Sequence, residues 1–321
     1  MRSSEDRLPE HEASGKIIKP STRSFWRRSR ERTDFSLFDF IHGYIYMRWP
    51  YQYIGTGVGE RNQRLVRLIT SIAQFVGRIF PKKNNGTSSV SFADTYHGKA
   101  IPLETATRLV SIKESIDLGD LEQVIPYKLA RELILQHPDH IAVLDCPCRV
   151  SRKDPCLPLD VCLIVGEPFA SLVIEHHPHR SRWITSDEAV EILKAEDERG
   201  HVHHAFFKDA MLGRFYAICN CCECCCGAMQ AQRNGTPMLA SSGYVAVVDQ
   251  DICISCGTCE QKCQFNAISI SQEGAIVDLE RCMGCGVCVG NCPQAAIELK
   301  PEPTKGQPLD LLTLMGERSI N

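Results

Sequence analysis

The sequence predicts an α/β (α+β) protein: a cysteine-rich α/β middle domain followed by a small duplicated module. Three observations carry this. Between residues 91 and 240, short apolar runs alternate with amphipathic stretches. The pattern C-x2-C-x2-C-x3-C occurs twice near the C-terminus, at an offset of 29 residues. All eighteen cysteines lie from Cys146 onward. The expected organisation is a disordered polar tail over 1–34 and an aromatic, basic and amphipathic segment over 35–90. The cysteine-rich α/β domain over 91–240, the duplicated module over 241–300 and a C-terminal tail over 301–321 follow.

A chain of 321 residues, 43% hydrophobic and 23% charged, is long enough for two or three domains with real cores. The net charge of −3 is unevenly spread. Met1–Ala100 carries 17 Lys/Arg against 9 Asp/Glu, whereas Ser241–Lys300 carries 3 against 7. The two ends therefore suit different partners. The polar start, Met1–Ser14, has no apolar core of a signal peptide. Arg27-Arg28 is not followed by an apolar segment, and no uncharged apolar run reaches the length of a membrane span. Cysteines clustered in a chain of this kind read as metal ligands in a reducing cytoplasm, not as disulfides.

Residues 1–34 are aperiodic and polar. The stretch Phe35–Ile54 holds Phe38, Phe40, Tyr44, Tyr46, Trp49, Tyr51 and Tyr53, and is closed by Gly55, Gly57 and Gly59. From Arg61 to Phe80 the spacing predicts an amphipathic helix: Leu65, Leu68, Ile69, Ile72, Val76 and Ile79 share a face. Pro81 stops it and 82–89 is a linker. Aromatics with arginines suit an anionic membrane surface, so residues 36–80 could make peripheral membrane contact on the cytoplasmic face. Packing on the middle domain or on a partner subunit is the reading preferred to that contact. No nucleic-acid module accompanies the basic charge, and nucleic acid is not an expected partner.

In the middle domain the pattern predicts helices over Leu103–Ile112 and Pro126–His137, and strands at Ile141–Leu144 and Val161–Val165. Thr185-x-x-Glu188 opens a helix through Arg199, with Gly200 as its stop. His201–Phe207 and Arg214–Ile218 read as strands, the second leading into Cys219. Cysteines thus gather where strands end. Histidines at 176, 177, 179, 201, 203 and 204 read first as surface or loop residues, with metal ligation or proton relay as the alternative. Gly55-x-Gly57-x-Gly59 lacks the spacing and βαβ frame of a dinucleotide site, and no phosphate-binding loop or nucleophile elbow is present.

The duplicated module is the most specific signal. Cys253, Cys256, Cys259 and Cys263 recur as Cys282, Cys285, Cys288 and Cys292, the last followed by Pro293. The repeat extends to Gly257/Gly286, Ala267/Ala296 and Ile268/Ile297. A [4Fe–4S] cubane needs four thiolates at the corners of a tetrahedron. Three come from one C-x2-C-x2-C loop, and the fourth, after x3, ligates the other cluster. Cys253, Cys256, Cys259 and Cys292 therefore form one predicted set, and Cys282, Cys285, Cys288 and Cys263 the second. Four-cysteine zinc sites are the alternative for such spacing, but the two x3 steps argue against them. Val245–Leu299 resembles the bacterial two-cluster ferredoxins. It departs from them at Cys263-Gln264, where those proteins usually carry Cys-Pro.

Ten cysteines remain: Cys146, Cys148, Cys156, Cys162, Cys219, Cys221, Cys222, Cys224, Cys225 and Cys226. Packing does not demand six cysteines in eight residues. Two cysteine-rich turns converging on one site would hold a cubane with spare ligands, two cubanes, or a cluster with an unusual ligand set. Zinc or a redox-active dithiol are the other options. Adjacent cysteines cannot all face one metal. From about Tyr96 to Ile297, the C-P-C-R turn, the I-C-N-C-C-x-C-C-C-G run and the trailing module resemble multi-cysteine ferredoxin-type proteins of anaerobic bacteria and archaea. That resemblance implies iron–sulfur clusters and electron transfer, without supplying a substrate. The expectation is an electron-transfer protein or subunit, passing single electrons between a flavoprotein or other iron–sulfur partner and the middle-domain site. The alternative is a reductase whose catalytic centre is that site.

Overall fold

The computed structural model of the chain describes residues 18–59, 91–311 and 313–314. Its centre is a seven-stranded sheet built from β1 (Tyr96–Ala100), β4 (Ile141–Asp145), β5 (Asp160–Val165), β6 (Ser181–Ile184), β7 (Val202–Lys208), β8 (Arg214–Cys221) and β9 (Leu239–Ala240). Their spatial order is β6-β4-β5-β8-β7-β1-β9, and every pairing is antiparallel except β1 with β9. A separate hairpin pairs β2 (Ile116–Leu118) with β3 (Leu133–Leu135).

Alternation along these strands sorts side chains onto two faces. One face carries Ile141, Val143, Leu163, Val165, Ala205, Phe207 and Ile218, packed with helix Leu103–Ser111 and helix Ser186–Glu198. The other carries Ala142, Leu144, Cys162, Ile164, Phe206, Ala217 and Cys221. It is covered by helix Phe169–His176 and by three N-terminal helices, α1 (Pro20–Glu31), α2 (Leu37–Arg48) and α3 (Pro50–Gly57).

The N-terminal helices depart from the sequence reading. Residues 1–34 read as a polar tail, yet α1 is a helix whose buried stripe is Ser21, Phe25 and Ser29. Only one of those three is apolar, so the period is invisible to a hydrophobicity pattern. Phe25 is fully buried and meets Phe169 edge-on at 5.9 Å. Polar contacts do the rest: Ser21 Oγ donates to Glu175 at 2.5 Å, and Thr22 Oγ1 lies 3.0 Å from His176 Nε2. The aromatic stretch packs on the middle domain, with Gly43 of α2 so close to Ala210 that a Cβ there would stand 2.2 Å from its carbonyl oxygen. The outer side of α2 leaves Leu37, Phe38, Ile41 and Ile45 exposed. The amphipathic pattern of Arg61–Phe80 and the linker after it lie outside the described residues.

Most expected middle-domain elements form. Thr185 caps its helix by accepting from Glu188 N at 3.2 Å, and Gly200 ends it at φ +88°. The helix expected over Pro126–His137 does not form. Residues 119–132 are turns and loop, and Leu133–Leu135 is β3. Leu133 and Leu135 are buried on either side of a half-buried Ile134, a period of two that pairing with β2 selects over local helix propensity. The C-terminal stretch is not a free tail either: Leu309 and Leu311 return to the core beside the Leu103–Ser111 helix.

The duplicated module has two antiparallel pairs, β10 (Tyr244–Val248) with β13 (Ile297–Pro301) and β11 (Ile268–Ser271) with β12 (Gly274–Val277). It docks on the middle domain through Lys99 Nζ to Ser241 O at 2.8 Å, Asn291 Nδ2 to Asp197 O at 2.9 Å and Lys262 Nζ to Glu198 O at 2.5 Å.

Candidate metal centres

The two motifs of the duplicated module each build half of two cavities. One is lined by Cys253, Cys256, Cys259 and the distant Cys292. The other is lined by Cys282, Cys285, Cys288 and the distant Cys263. The crossing follows from local geometry. Gly257 and Gly286, at φ +79° and +85°, start short helices at Thr258–Lys262 and Val287–Gly290. Those positive φ values are where a residue without Cβ fits best. Each helix carries the third cysteine of its motif inward, and the fourth follows beyond its end. The fourth cysteine is held alike in both halves: Ala267 N donates to Cys263 Sγ and Ala296 N to Cys292 Sγ, each at 3.3 Å. The cavity of Cys282, Cys285, Cys288 and Cys263 has no polar side chain besides its thiols, and burial pushes the Cys285 thiol up to about 12, whereas the other cavity also meets Ser255, Thr258 and Gln294. Four thiols facing one small, water-poor space are the donor set of a cubane, so these residues fit that group.

In the middle domain the two cysteine-rich turns do converge. Cys146, Cys148, Cys162, Cys219, Cys221, Cys222, Cys225 and Cys226 line one cavity. Cys146 follows the end of β4 and stands at the N-cap of helix Pro147–Val150, which carries Cys148. Cys162 on β5 and Cys219 on β8 are cross-strand partners, with sulfurs 3.6 Å apart. Cys226 precedes helix Gly227–Arg233, whose Gly227 N donates to Cys148 Sγ at 3.5 Å. The thiols of Cys146 and Cys219 are raised well above the ordinary thiol range. The causes are the hydrogen bonds with Cys148 and Cys162 respectively, then burial. Such thiols stay protonated until a cation takes the proton's place.

The remaining walls were not legible as site residues. Tyr46, Met47, Pro50 and Ile54 come from α2 and α3, and Tyr96, Phe206 and Tyr216 from the sheet. Tyr46 and Tyr216 share a 2.8 Å hydroxyl hydrogen bond, and both are raised well above the ordinary phenol range by burial. Cys156 and Cys224 do not line this cavity. They lie on its outer side, where their sulfurs and those of Cys222 and Cys225 all fall within 4.8 Å of one another.

Behind the C-P-C-R turn, Arg149 is buried against Glu196 and His201 and bonds to the carbonyls of Pro158 and Asn220. His201, His203 and His204 are buried, contrary to the surface reading. His203 and His204 face opposite sides of the sheet. His203 bonds to Asn220 Oδ1 at 2.6 Å, and His204 packs edge-on to Phe265 at 6.4 Å. Gln264, the residue that departs from the two-cluster pattern, accepts from Glu223 N at 2.8 Å. That bond joins the residue after Cys263 to the one between Cys222 and Cys224.

No match to the chain is found among curated proteins. Together with the clustered cysteines, the family match supports an iron–sulfur protein of electron transfer: residues 252–297 match the 4Fe-4S dicluster domain family.

Proposed function

We propose that this chain is an electron-transfer protein or subunit that relays single electrons between a [4Fe–4S] pair in its C-terminal module and a further iron–sulfur centre in the middle domain. Cys253, Cys256, Cys259 and Cys292 would hold one cluster, and Cys282, Cys285, Cys288 and Cys263 the other. Bound there, such clusters supply reversible one-electron chemistry over a potential range that their surroundings set. The protein's own part is to hold the thiolates, exclude water and fix the spacing between sites.

The observation that carries the relay is the Gln264–Glu223 hydrogen bond. It gives a short covalent and hydrogen-bonded connection from Cys263 to the cysteine run of the middle cavity. Phe265, which lines the Cys263 cavity, also packs against the core of the middle domain. The buried cavity is lined by eight thiols, where each of the module cavities has four. Those thiols are ligands enough for at least one further iron–sulfur centre, with some to spare. A flavoprotein or another iron–sulfur protein is the class of redox partner for such a relay. The exposed apolar side of α2 supports the peripheral contact expected of residues 36–80.

Iron and acid-labile sulfide per chain, on full-length protein purified without oxygen, test this reading. The expected result is about twelve to sixteen of each. About eight of each would confine clusters to the module and overturn the relay to a middle-domain centre.

A further inference from the structure

Cys156, Cys222, Cys224 and Cys225 form a second kind of site. All four sulfurs lie within 4.8 Å of one another, with Cys156 Sγ 3.0 Å from Cys224 Sγ and Cys224 Sγ 3.7 Å from Cys225 Sγ. Size decides between occupants. Four thiolates about 2.3 Å from a single ion stand on a tetrahedron with edges of about 3.8 Å. Four thiolates around a cubane, which interposes iron and sulfide between them, stand about 6 Å or more apart. The observed spacing is that of one ion.

We infer that these four cysteines hold a single tetrahedral metal ion, zinc(II) or iron(II), distinct from any iron–sulfur cluster in the chain. The buried cavity keeps Cys146, Cys148, Cys162, Cys219, Cys221 and Cys226 for its own centre. Cys222 and Cys225 touch both spaces and turn their sulfurs to the ion.

The surroundings fit a closed structural site. Cys156 arrives on the loop 151–159, which has no regular secondary structure, while the other three belong to the turn after β8. An ion would staple that loop to the turn over the outer side of the cavity. Four thiolates on a divalent ion carry a net charge of −2, and binding releases one proton from each thiol. Arg152 stands beside that charge, its Nε and Nη2 donating to Cys225 O at 3.2 and 3.0 Å and its Nη2 to Gln230 Oε1 at 2.8 Å. Four thiols this close cannot all ionise without a cation among them.

The test uses full-length protein purified without oxygen. X-ray absorption at the zinc and iron edges is paired with metal and sulfide analysis. For zinc, the expected result is one ion per chain with four sulfur neighbours at about 2.3 Å and no iron neighbour. For iron, it is one high-spin ferrous site by Mössbauer spectroscopy that brings no sulfide. The double variant Cys156→Ser, Cys224→Ser should lose that one ion and keep its sulfide. Cys224→His should keep zinc with three sulfurs and one nitrogen, a readout that does not depend on the double variant folding. Loss of about four irons with their sulfide from the double variant would assign these cysteines to a cubane and overturn the inference. So would wild-type protein with neither ion, or a Cys156–Cys224 disulfide in protein alkylated without oxygen. Sulfide counts separate this outcome from the relay, because a single ion contributes none.

Discussion

Arg149 and Glu196 form an ion pair at 2.5 Å with both side chains only 1% exposed. The pair lies directly behind the turn that presents Cys146 and Cys148, and His201 Nδ1 joins it 2.7 Å from the same carboxylate. Removing one partner of such a pair strands a buried charge.

Arg149→Ala should therefore destabilise the protein by about 3–5 kcal/mol. The double change Arg149→Met, Glu196→Leu should recover most of that loss, since it removes both charges. Thermal melts of the loaded wild type and the two variants decide it. Equal losses in the single and double variants would show that packing, not charge, is what Arg149 supplies.

Cys263→Ser should damage the site built by Cys282, Cys285 and Cys288, and leave the site of its own motif intact. Cys292→Ser should do the reverse. Iron counts with reduced-state EPR on each variant, before and after a matched Cys285→Ser change, would show which signal is lost. Damage confined to the mutated motif's own site would contradict the crossed arrangement.

Gln264→Pro restores the residue usual in two-cluster ferredoxins and deletes the acceptor for Glu223 N. Cluster content should be retained. Reduction of the middle-domain centre after rapid reduction of the module should slow by about tenfold, the equivalent of about 1.4 kcal/mol in the barrier. An unchanged rate would remove that hydrogen bond from the path.

Gly43→Ala places a Cβ 2.2 Å from Ala210 O and 2.9 Å from Met211 Cε. Overpacking of this kind costs about 1–3 kcal/mol, here paid where α2 seats on the middle domain. The melting temperature should fall by several degrees, and the middle-domain centre should bleach faster in air than the module. Equal bleaching at both would show that α2 does not shield the cavity.

His97 is fully buried between Tyr127 and Phe207. Burial lowers it from 6.5 to about 4. The folded protein thus keeps the ring neutral while the unfolded chain takes up a proton below about pH 6.5. Stability from this residue is full above pH 6.5 and falls as the pH drops toward 4, by up to about 1.4 kcal/mol per pH unit. Between pH 6.5 and 5, His97→Phe should lose up to about 2 kcal/mol less than wild type, read from denaturant unfolding at each pH. Parallel pH profiles would exclude His97 as a source of acid sensitivity.

The grouping of the module's eight cysteines could be read from the repeated C-x2-C-x2-C-x3-C spacing, and the structure brings each set of four to one cavity. The strands Ile141–Asp145 and Asp160–Val165 were legible as short apolar runs, and the helix after Thr185 by its cap. Three things were hidden, each for a physical reason. The inward stripe of α1 is Ser21-Phe25-Ser29, too polar for a hydrophobic period. The hairpin strand Leu133–Leu135 is chosen by a partner strand, not by its own propensities. The division of the ten middle cysteines depends on distances across a fold. Cys156 lies 68 residues from Cys224 in sequence, yet their sulfurs are 3.0 Å apart.

The cover over the middle cavity comes from the start of the chain, whereas its cysteines come from residues about a hundred to a hundred and eighty positions later. Tyr46, Met47, Pro50 and Ile54 are therefore synthesised before any thiol of the cavity they cover. The walls of α2 and α3 have no thiol-lined face to seat on until the last of those cysteines has been made, so the cavity closes only when the middle domain is complete.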